Sequence, residues 1–213
     1  MRAVLSVVML GALVGCSGGG ASHPVQPTAD SLKRMDVVGA LRLARIEAPA
    51  NVWQLGLVSN TGVSQTVQGQ SGSGVAALLN PEGKAGQWVF EFFSNTPRPI
   101  VDAGRKGFAY PFRIVLVDQG KANALPDSTL NVPSRFTLLP DAALRGIGPG
   151  EKAAVAKLGR SVVAASVASG QTAGKPTQWV FRLYTKASGE GSPTVIGTRL
   201  DGTQAVVLKT GSG

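Results

Sequence analysis

Few residues of this 213-residue chain could support acid–base, nucleophilic or metal chemistry. It has one histidine, His23, and one cysteine, Cys16, and both lie near the start of the chain. Ser-His-Asp, Cys-His and zinc sites need an imidazole or a thiolate held on a rigid element. The acidic residues are scattered, and Asp102, Asp118 and Asp201 lack the spacing of a calcium-binding loop. The sequence therefore predicts no catalytic residue, no metal site and no cofactor.

Cys16 ends a short basic and apolar segment. Arg2 precedes an apolar run that is too short to span a bilayer as a mature helix. The run closes with Leu13-Val14-Gly15-Cys16, and here the sequence resembles a bacterial lipoprotein signal. The resemblance implies that residues 1–15 form a cleaved signal peptide and that Cys16 carries the lipid. Because Ser17 rather than an aspartate follows, it also implies an outer-membrane protein that faces the periplasm, if the cell is Gram-negative. The alternatives are an ordinary signal peptide and a cysteine that lies in the apolar run by chance.

Residues 16–28 are expected to form a tether that carries the lipidated cysteine. They contain three consecutive glycines, Pro24 and Pro27, with small polar residues between them. This composition is typical of a flexible linker. We therefore expect the folded part to begin near residue 29, at some distance from the membrane surface.

Basic residues provide the candidate binding positions. The formal net charge of the chain is +9, and a basic surface attracts anionic partners. Arg98, Arg105 and Lys106 lie in a predicted basic loop, and together with Phe93 and Tyr184 they are the candidate binding residues. No module typical of nucleic-acid binding is visible, so we expect no nucleic-acid partner. A generally basic composition without any specific partner is the alternative.

One motif occurs twice and organises the rest of the chain. Gln87-Trp88-Val89-Phe90 recurs as Gln178-Trp179-Val180-Phe181, and a Gly-Lys pair precedes each copy at the same spacing. Side chains alternate along a strand, which puts the tryptophan and phenylalanine of each copy on one apolar face. Large aromatic residues of this kind are more typical of a core than of a ligand-stacking platform. The motif predicts two buried strands at equivalent central positions.

The second face of each repeated strand is mixed in character. It carries Glu91 and Phe93 in the first copy, and Arg182 and Tyr184 in the second. Glu91 and Arg182 occupy equivalent positions, so we expect them to approach each other if the two sheets abut.

Other elements are predicted around the motif. Helices are expected over 31–47, capped by Asp30 or Ser31, and over 149–158, where Gly159 stops the helix. The strands that pair with the two repeated strands are expected at 75–79 and 162–167, and the segment 119–134 is expected to connect the halves. Alternating or apolar patterns predict further strands at 52–59, 108–117, 194–200 and 204–208.

The order of elements predicts an α+β fold with two tandem repeats, each a helical segment packed on an antiparallel sheet. In this order the chain resembles tandem modules of the PepSY and β-lactamase-inhibitor-protein kind. We expect a first repeat over residues 29–120 and a second over 121–213. The resemblance implies a secreted or lipid-anchored interaction protein.

The expected function is that of a non-catalytic interaction module, lipid-anchored in the cell envelope. Such a module would inhibit or adapt an envelope protein, and the sequence leaves its oligomeric state open. Two alternatives remain. One is a binder of an anionic small molecule or lipid head group, which would use a basic cleft. The other is an enzyme that uses a pair of carboxylates.

Overall fold

A computed structural model describes residues 33–60, 79–80, 82–102, 105–132, 138–159, 162, 164–172, 175–185 and 193–210. Within these ranges the chain forms two α-helices, one 3₁₀ helix and ten strands. The helices are α1 (Val37–Glu47), the 3₁₀ helix (Asp141–Gly146) and α2 (Ile147–Leu158). The strands are β1 (Trp53–Ser59), β2 (Gln87–Ser94), β3 (Arg98–Asp102), β4 (Arg105–Asp118), β5 (Lys121–Ala124), β6 (Ser128–Val132), β7 (Ala164–Thr172), β8 (Lys175–Tyr184), β9 (Thr194–Arg199) and β10 (Val206–Lys209).

All ten strands belong to one antiparallel sheet. Its order is β10-β9-β8-β7-β1-β2-β4-β3, and β5 and β6 also pair with β4. The protein is thus mixed α+β, as the sequence predicts, with a large antiparallel sheet and two α-helices. Residues 121–132, which the sequence suggested as part of a connector, form β5 and β6 on the long strand β4.

Both α-helices pack on the same face of the sheet. One continuous core joins residues of α1, α2 and the strands of both halves. Burial of these apolar surfaces is the main term that stabilises the two-layer arrangement. A second, smaller cluster around Phe93, Tyr110 and Val132 lies apart from this core.

The first helix begins later than the sequence suggested. Met35 exchanges backbone hydrogen bonds with Ala85, so residues 33–36 are extended rather than helical. The predicted caps Asp30 and Ser31 lie outside the described residues. Asp36 caps α1 instead, because its Oδ1 accepts a hydrogen bond from the Gly39 N–H at 2.6 Å. Ile46, near the end of α1, is 71% exposed.

The repeated strands β2 and β8 occupy interior positions of the sheet, as predicted. Trp88 and Trp179 are fully buried. Each indole N–H reaches a backbone carbonyl: Trp88 donates to Met35 O and Trp179 to Leu200 O, both at 3.0 Å. Buried indole groups need such a partner, so each tryptophan joins its strand to the segment packed above it.

The two halves meet at β1 and β7. Ser59 pairs with Ala168, and Asn60 Oδ1 accepts a hydrogen bond from the Val167 N–H. The sequence was right that a strand near 162–167 pairs with β8. On the other side it is β1 that pairs with β2, while Leu79 forms an isolated bridge to Ala165. Residues 75–78 lie outside the described part.

Candidate functional site

The basic candidate residues lie on one hairpin. Arg98 is exposed in β3, and the register of the hairpin pairs Asp102 with Arg105 and Val101 with Lys106. The expected basic loop is therefore a pair of strands at the far end of the sheet from β10. In this register the positions of Arg98 and Arg105 share one face of the hairpin, and the position of Lys106 belongs to the other face.

The two aromatic candidates do not join that hairpin in a common cleft. Phe93 is only 5% exposed. Its ring packs against Tyr110 and Phe112 and covers Gly56, where a Cβ would lie 2.2 Å from the ring. Tyr184 is half-buried near the end of β8. The strands β1 and β7 separate β2 from β8, so the two rings do not meet.

The same separation applies to Glu91 and Arg182. Both lie on the sheet face opposite the helices, since Glu91 pairs with Ile114 and Arg182 with Val195. Three strand spacings of about 4.8 Å separate them across the sheet. They are also offset along the strands, because the registers bring Glu91 into line with Gln178 and not with Arg182. Among the described residues no ion pair joins them. Burial alone raises the pKa of Glu91. The expected approach does not occur, because the halves share one continuous sheet rather than stacking two.

A second carboxyl is also held away from water. Glu151 lies in α2 and is buried. Its Oε2 faces the turn at Gly83, where an added Cβ would lie only 3.2 Å away. Burial raises the pKa of Glu151 to about 7. The carboxyl next to that turn, Glu82, accepts a hydrogen bond from Lys84 Nζ at 2.8 Å.

Two arginines that could have served in binding are engaged in the fold. Arg45 makes a two-point contact with Asp141 at 2.6 and 3.1 Å and lies 4.7 Å above the Phe92 ring. Arg113 contacts Asp127 in the same way and lies 4.7 Å above the Trp53 ring. Their remaining donors reach carbonyls at the end of α1 and the start of β1. Both guanidinium groups therefore hold parts of the fold together.

The sheet face opposite the helices differs between the two halves. In the first half Val89 and Phe93 on this face are buried, at 3% and 5% exposure. The matching residues of the repeated motif in the second half, Val180 and Tyr184, are only half-buried. Arg182 shares their face, as does Arg199, which lies opposite Gln178. We call the second-half surface formed by Val180, Arg182, Tyr184, Val195 and Arg199 the open face.

The open face continues onto β10 at the end of the sheet. Val206 pairs with Gly197, and Leu208 Cδ1 lies 3.1 Å from where a Gly197 Cβ would be. Sequence reasoning predicted the strand but did not single it out as a surface. The signal was present: three consecutive apolar residues in an exposed terminal strand break the alternation that one buried face requires.

Cys16 and the rest of the predicted signal and tether lie outside the described residues. Within the described ranges no group of three His, Cys, Asp or Glu side chains could hold a metal ion. Nor does any described helix have the length and apolar character needed to cross a membrane. Comparison of the chain with protein-family models, with curated proteins and with solved structures found no match.

Proposed function

We propose that this protein is a lipid-anchored interaction module of the cell envelope that binds another protein through the open face and has no catalytic activity of its own. The observation that carries this proposal is the difference between the two halves. Val89 and Phe93 are buried in the first half, whereas the equivalent Val180 and Tyr184 are half-buried in the second. An apolar surface with basic residues around it, left partly exposed, is typical of a protein-binding site. As an inhibitor or adaptor, the module would occupy the surface of an envelope protein.

The anchor rests on the sequence Leu13-Val14-Gly15-Cys16. A lipid on Cys16, followed by the tether 16–28, would keep the module at the membrane and leave the sheet free to meet a partner. In a Gram-negative cell the position of Ser17 favours the periplasmic side of the outer membrane. Metabolic labelling with a fatty acid tests this step directly. Cys16→Ser should abolish both the label and membrane fractionation, and unchanged fractionation would rule out the anchor.

We also propose that the halves are tandem repeats of one module, a helix followed by four antiparallel strands. The registers support this. The first repeated phenylalanine pairs with Val58 and Val115, and the second pairs with Val167 and Ile196. With these positions equated, Ser59 matches Ala168, and these two residues pair with each other. A local two-fold axis at that pair would relate the modules, and the hairpin of β3 with the first part of β4 would be an insertion. A helix followed by four antiparallel strands is also the organisation of the PepSY and β-lactamase-inhibitor-protein modules that we propose this chain resembles.

Recovery of a partner from solubilised envelope tests the function. The full chain, purified in a non-ionic detergent, should retain one protein in near-stoichiometric amount. Val180→Asp on the open face should reduce that recovery. Ala142→Asp, exposed on the 3₁₀ helix at the opposite face, should leave it unchanged. If both variants retain the same protein equally, the open face is not the binding site.

A second candidate function rests on the β3–β4 hairpin. Its exposed Arg98, with Arg105 and Lys106 in the neighbouring strand, could bind an anionic small molecule or lipid head group. Phosphate or phospholipid head groups should then raise the melting temperature, and added salt should reverse the rise. A rise that persists after Arg98→Gln would count against this site.

A further inference from the structure

β10 ends the sheet, and within the described part of the chain no strand pairs with its outer edge. Val206, Val207 and Leu208 are 56%, 42% and 48% exposed. The other exposed large apolar side chains among the described residues occur singly, on α1, on β6 and in a turn. Unpaired backbone groups beside exposed apolar side chains are what an added strand binds.

The fold alone does not account for this apolar edge. β5 pairs with β4 as β10 pairs with β9, since Ala124 lies opposite Val115 and Val207 opposite Ile196. Yet β5 has the sequence Lys-Ala-Asn-Ala, whereas β10 has Val-Val-Leu-Lys. A polar strand is therefore compatible with this place in the sheet. The apolar sequence of β10 needs another reason.

The charges near β10 indicate the kind of partner. The described side chains of β8, β9 and β10 include the cations Arg182, Arg199 and Lys209 and no carboxylate. The nearest acid in the chain, Asp201, is in the turn before β10 and accepts two hydrogen bonds from Thr203. Lys209 pairs with Val195 and so lies on the open face beside the arginines. A strand added here would meet basic groups on that face.

We propose that the outer edge of β10 binds an extended acidic segment of a partner protein, which adds to the sheet as a further strand. This inference rests on the proposed function and specifies how the open face is used. Backbone hydrogen bonds to β10 would hold the segment. Its apolar residues would pack beside Val207 on the helix side, and its acidic residues would face Lys209 and Arg199 on the open side. Alternation of acidic and apolar residues is therefore the expected pattern of the partner segment.

Two other partners could bind the outer edge of β10, and the experiment below distinguishes them from an acidic segment. A second copy could pair β10 with β10, but it would bring together two basic surfaces of the same sign. An anionic membrane could attract the cations, but it offers no backbone hydrogen bonds to the edge.

The experiment uses the full chain in non-ionic detergent and labelled peptides of about eight residues, a typical strand length. One peptide alternates glutamate with valine, and a second alternates lysine with valine. We expect the acidic peptide to bind with a Kd that rises with salt, and the basic peptide to bind at least about tenfold more weakly. Val207→Lys should weaken binding of the acidic peptide by about tenfold or more, because it removes the apolar side chain beside which the valines of the peptide pack. Ala124→Lys, the matched change on β5, should leave the Kd unchanged.

Several results would overturn the proposal. Equal binding of both peptides would mean that apolar contact alone attracts them. Equal weakening by Val207→Lys and Ala124→Lys would place the site elsewhere. Self-association of the chain that Val207→Lys abolishes, without peptide binding, would assign the edge to a second copy. Binding to anionic vesicles but to neither peptide would assign it to lipid. A partner recovered from envelope and unaffected by Val207→Lys would contradict this inference while leaving the proposed function intact.

Discussion

At the scale of single residues, the side chains of Arg45 and Arg113 cap the C-terminal end of α1. The last carbonyls of an α-helix lack intrahelical partners. Here Arg45 donates to Ala48 O and Trp53 O, and Arg113 donates to Glu47 O. Planar guanidinium groups can do this while also making two-point contacts with carboxylates and lying over aromatic rings, which an ammonium group cannot.

We therefore expect Arg45→Lys and Arg113→Lys to destabilise the protein, each by about 1–3 kcal/mol. The lysine keeps the charge but loses the two-point contact and the ring stacking. Arg42→Lys, on the exposed side of the same helix, is the control and should change the free energy of unfolding by less than about 0.5 kcal/mol. Urea denaturation measures all three. Equal effects at Arg42 and Arg45 would show that the network contributes nothing.

Glu151 should make stability depend on pH. Burial raises its pKa from 4.5 to about 7, so the folded chain binds this proton more tightly than the unfolded chain does. Stability therefore falls as pH rises through the window from about 4.5 to about 7, and the loss is complete above that window. After allowance for partial solvation, we expect a loss of about 2 kcal/mol.

Glu151→Gln removes the ionisable group and keeps the shape. The difference in free energy of unfolding between this variant and the original chain should grow by about 2 kcal/mol between about pH 4.5 and pH 8. Other carboxyls, including Glu91, titrate in both proteins and cancel in the difference. A difference that stays constant with pH would refute the assignment.

At the scale of elements, α2 approaches the sheet more closely than a helix with side chains at every position could. A Cβ on Gly150 would lie 2.8 Å from Thr198 Oγ1 and 3.1 Å from the Phe181 ring. A Cβ on Gly146 would lie 1.9 Å from Leu200 O. The turn between β9 and β10 fits against this part of the helix through Gly202, whose φ of +83° favours glycine.

This packing reverses the usual effect of replacing a helical glycine by alanine. Gly150→Ala should destabilise the protein by about 1–3 kcal/mol, because the added methyl group meets β8 and β9. Gly148→Ala, in the same helix but with nothing within 4 Å of its added Cβ, should stabilise it by about 0.5–1 kcal/mol. Thermal unfolding of both variants gives the comparison. If both were stabilised, the close approach would be absent.

The repeated strands give a further test at this scale. Trp88→Ala and Trp179→Ala should each cost about 3–5 kcal/mol, because each leaves a large cavity in a continuous core. Phenylalanine at either place should cost less, about 1–3 kcal/mol, mainly because Met35 O or Leu200 O loses its donor. Val52→Ala, at an exposed position, is the control. A phenylalanine variant as unstable as its alanine counterpart would show that the N–H bond, not the ring volume, dominates.

The sequence predicted those elements whose signals are local. Alternation identified β4, and Gly159 marked the end of α2, where its φ is +64°. The start of α1 was missed because Met35 pairs with Ala85, a contact that no local pattern records. Arg45 and Asp141 are likewise far apart in the chain, so their contact could not be anticipated.

At the scale of the whole molecule, the pairing of β1 with β7 makes one sheet and one core of two halves. Composition and the repeated motif predicted the α+β class, but not that the halves would join edge to edge. The candidate residues Phe93 and Tyr184 illustrate the consequence. The motif makes them equivalent, yet the sheet order carries them to separate strands with different burial. Phe93 therefore packs in the smaller apolar cluster, whereas Tyr184 forms part of the open face.

We expect the pairing of β1 with β7 at Ser59 and Ala168 to close late in folding. Asn60 and Val167 are bonded across 107 residues of chain, so this contact has one of the largest loop-closure costs in the fold. We expect the hairpin of β7 with β8 and the pairing of β3 with β4 to form first, because they close over much shorter segments. Until the junction closes, β1 is an unpaired edge next to β2, with the same exposure to intermolecular pairing that β10 keeps in the finished fold. Slow refolding and aggregation at high concentration should therefore depend on residues at this junction more than on any others, so that Asn60→Ala slows folding in proportion to the stability it removes.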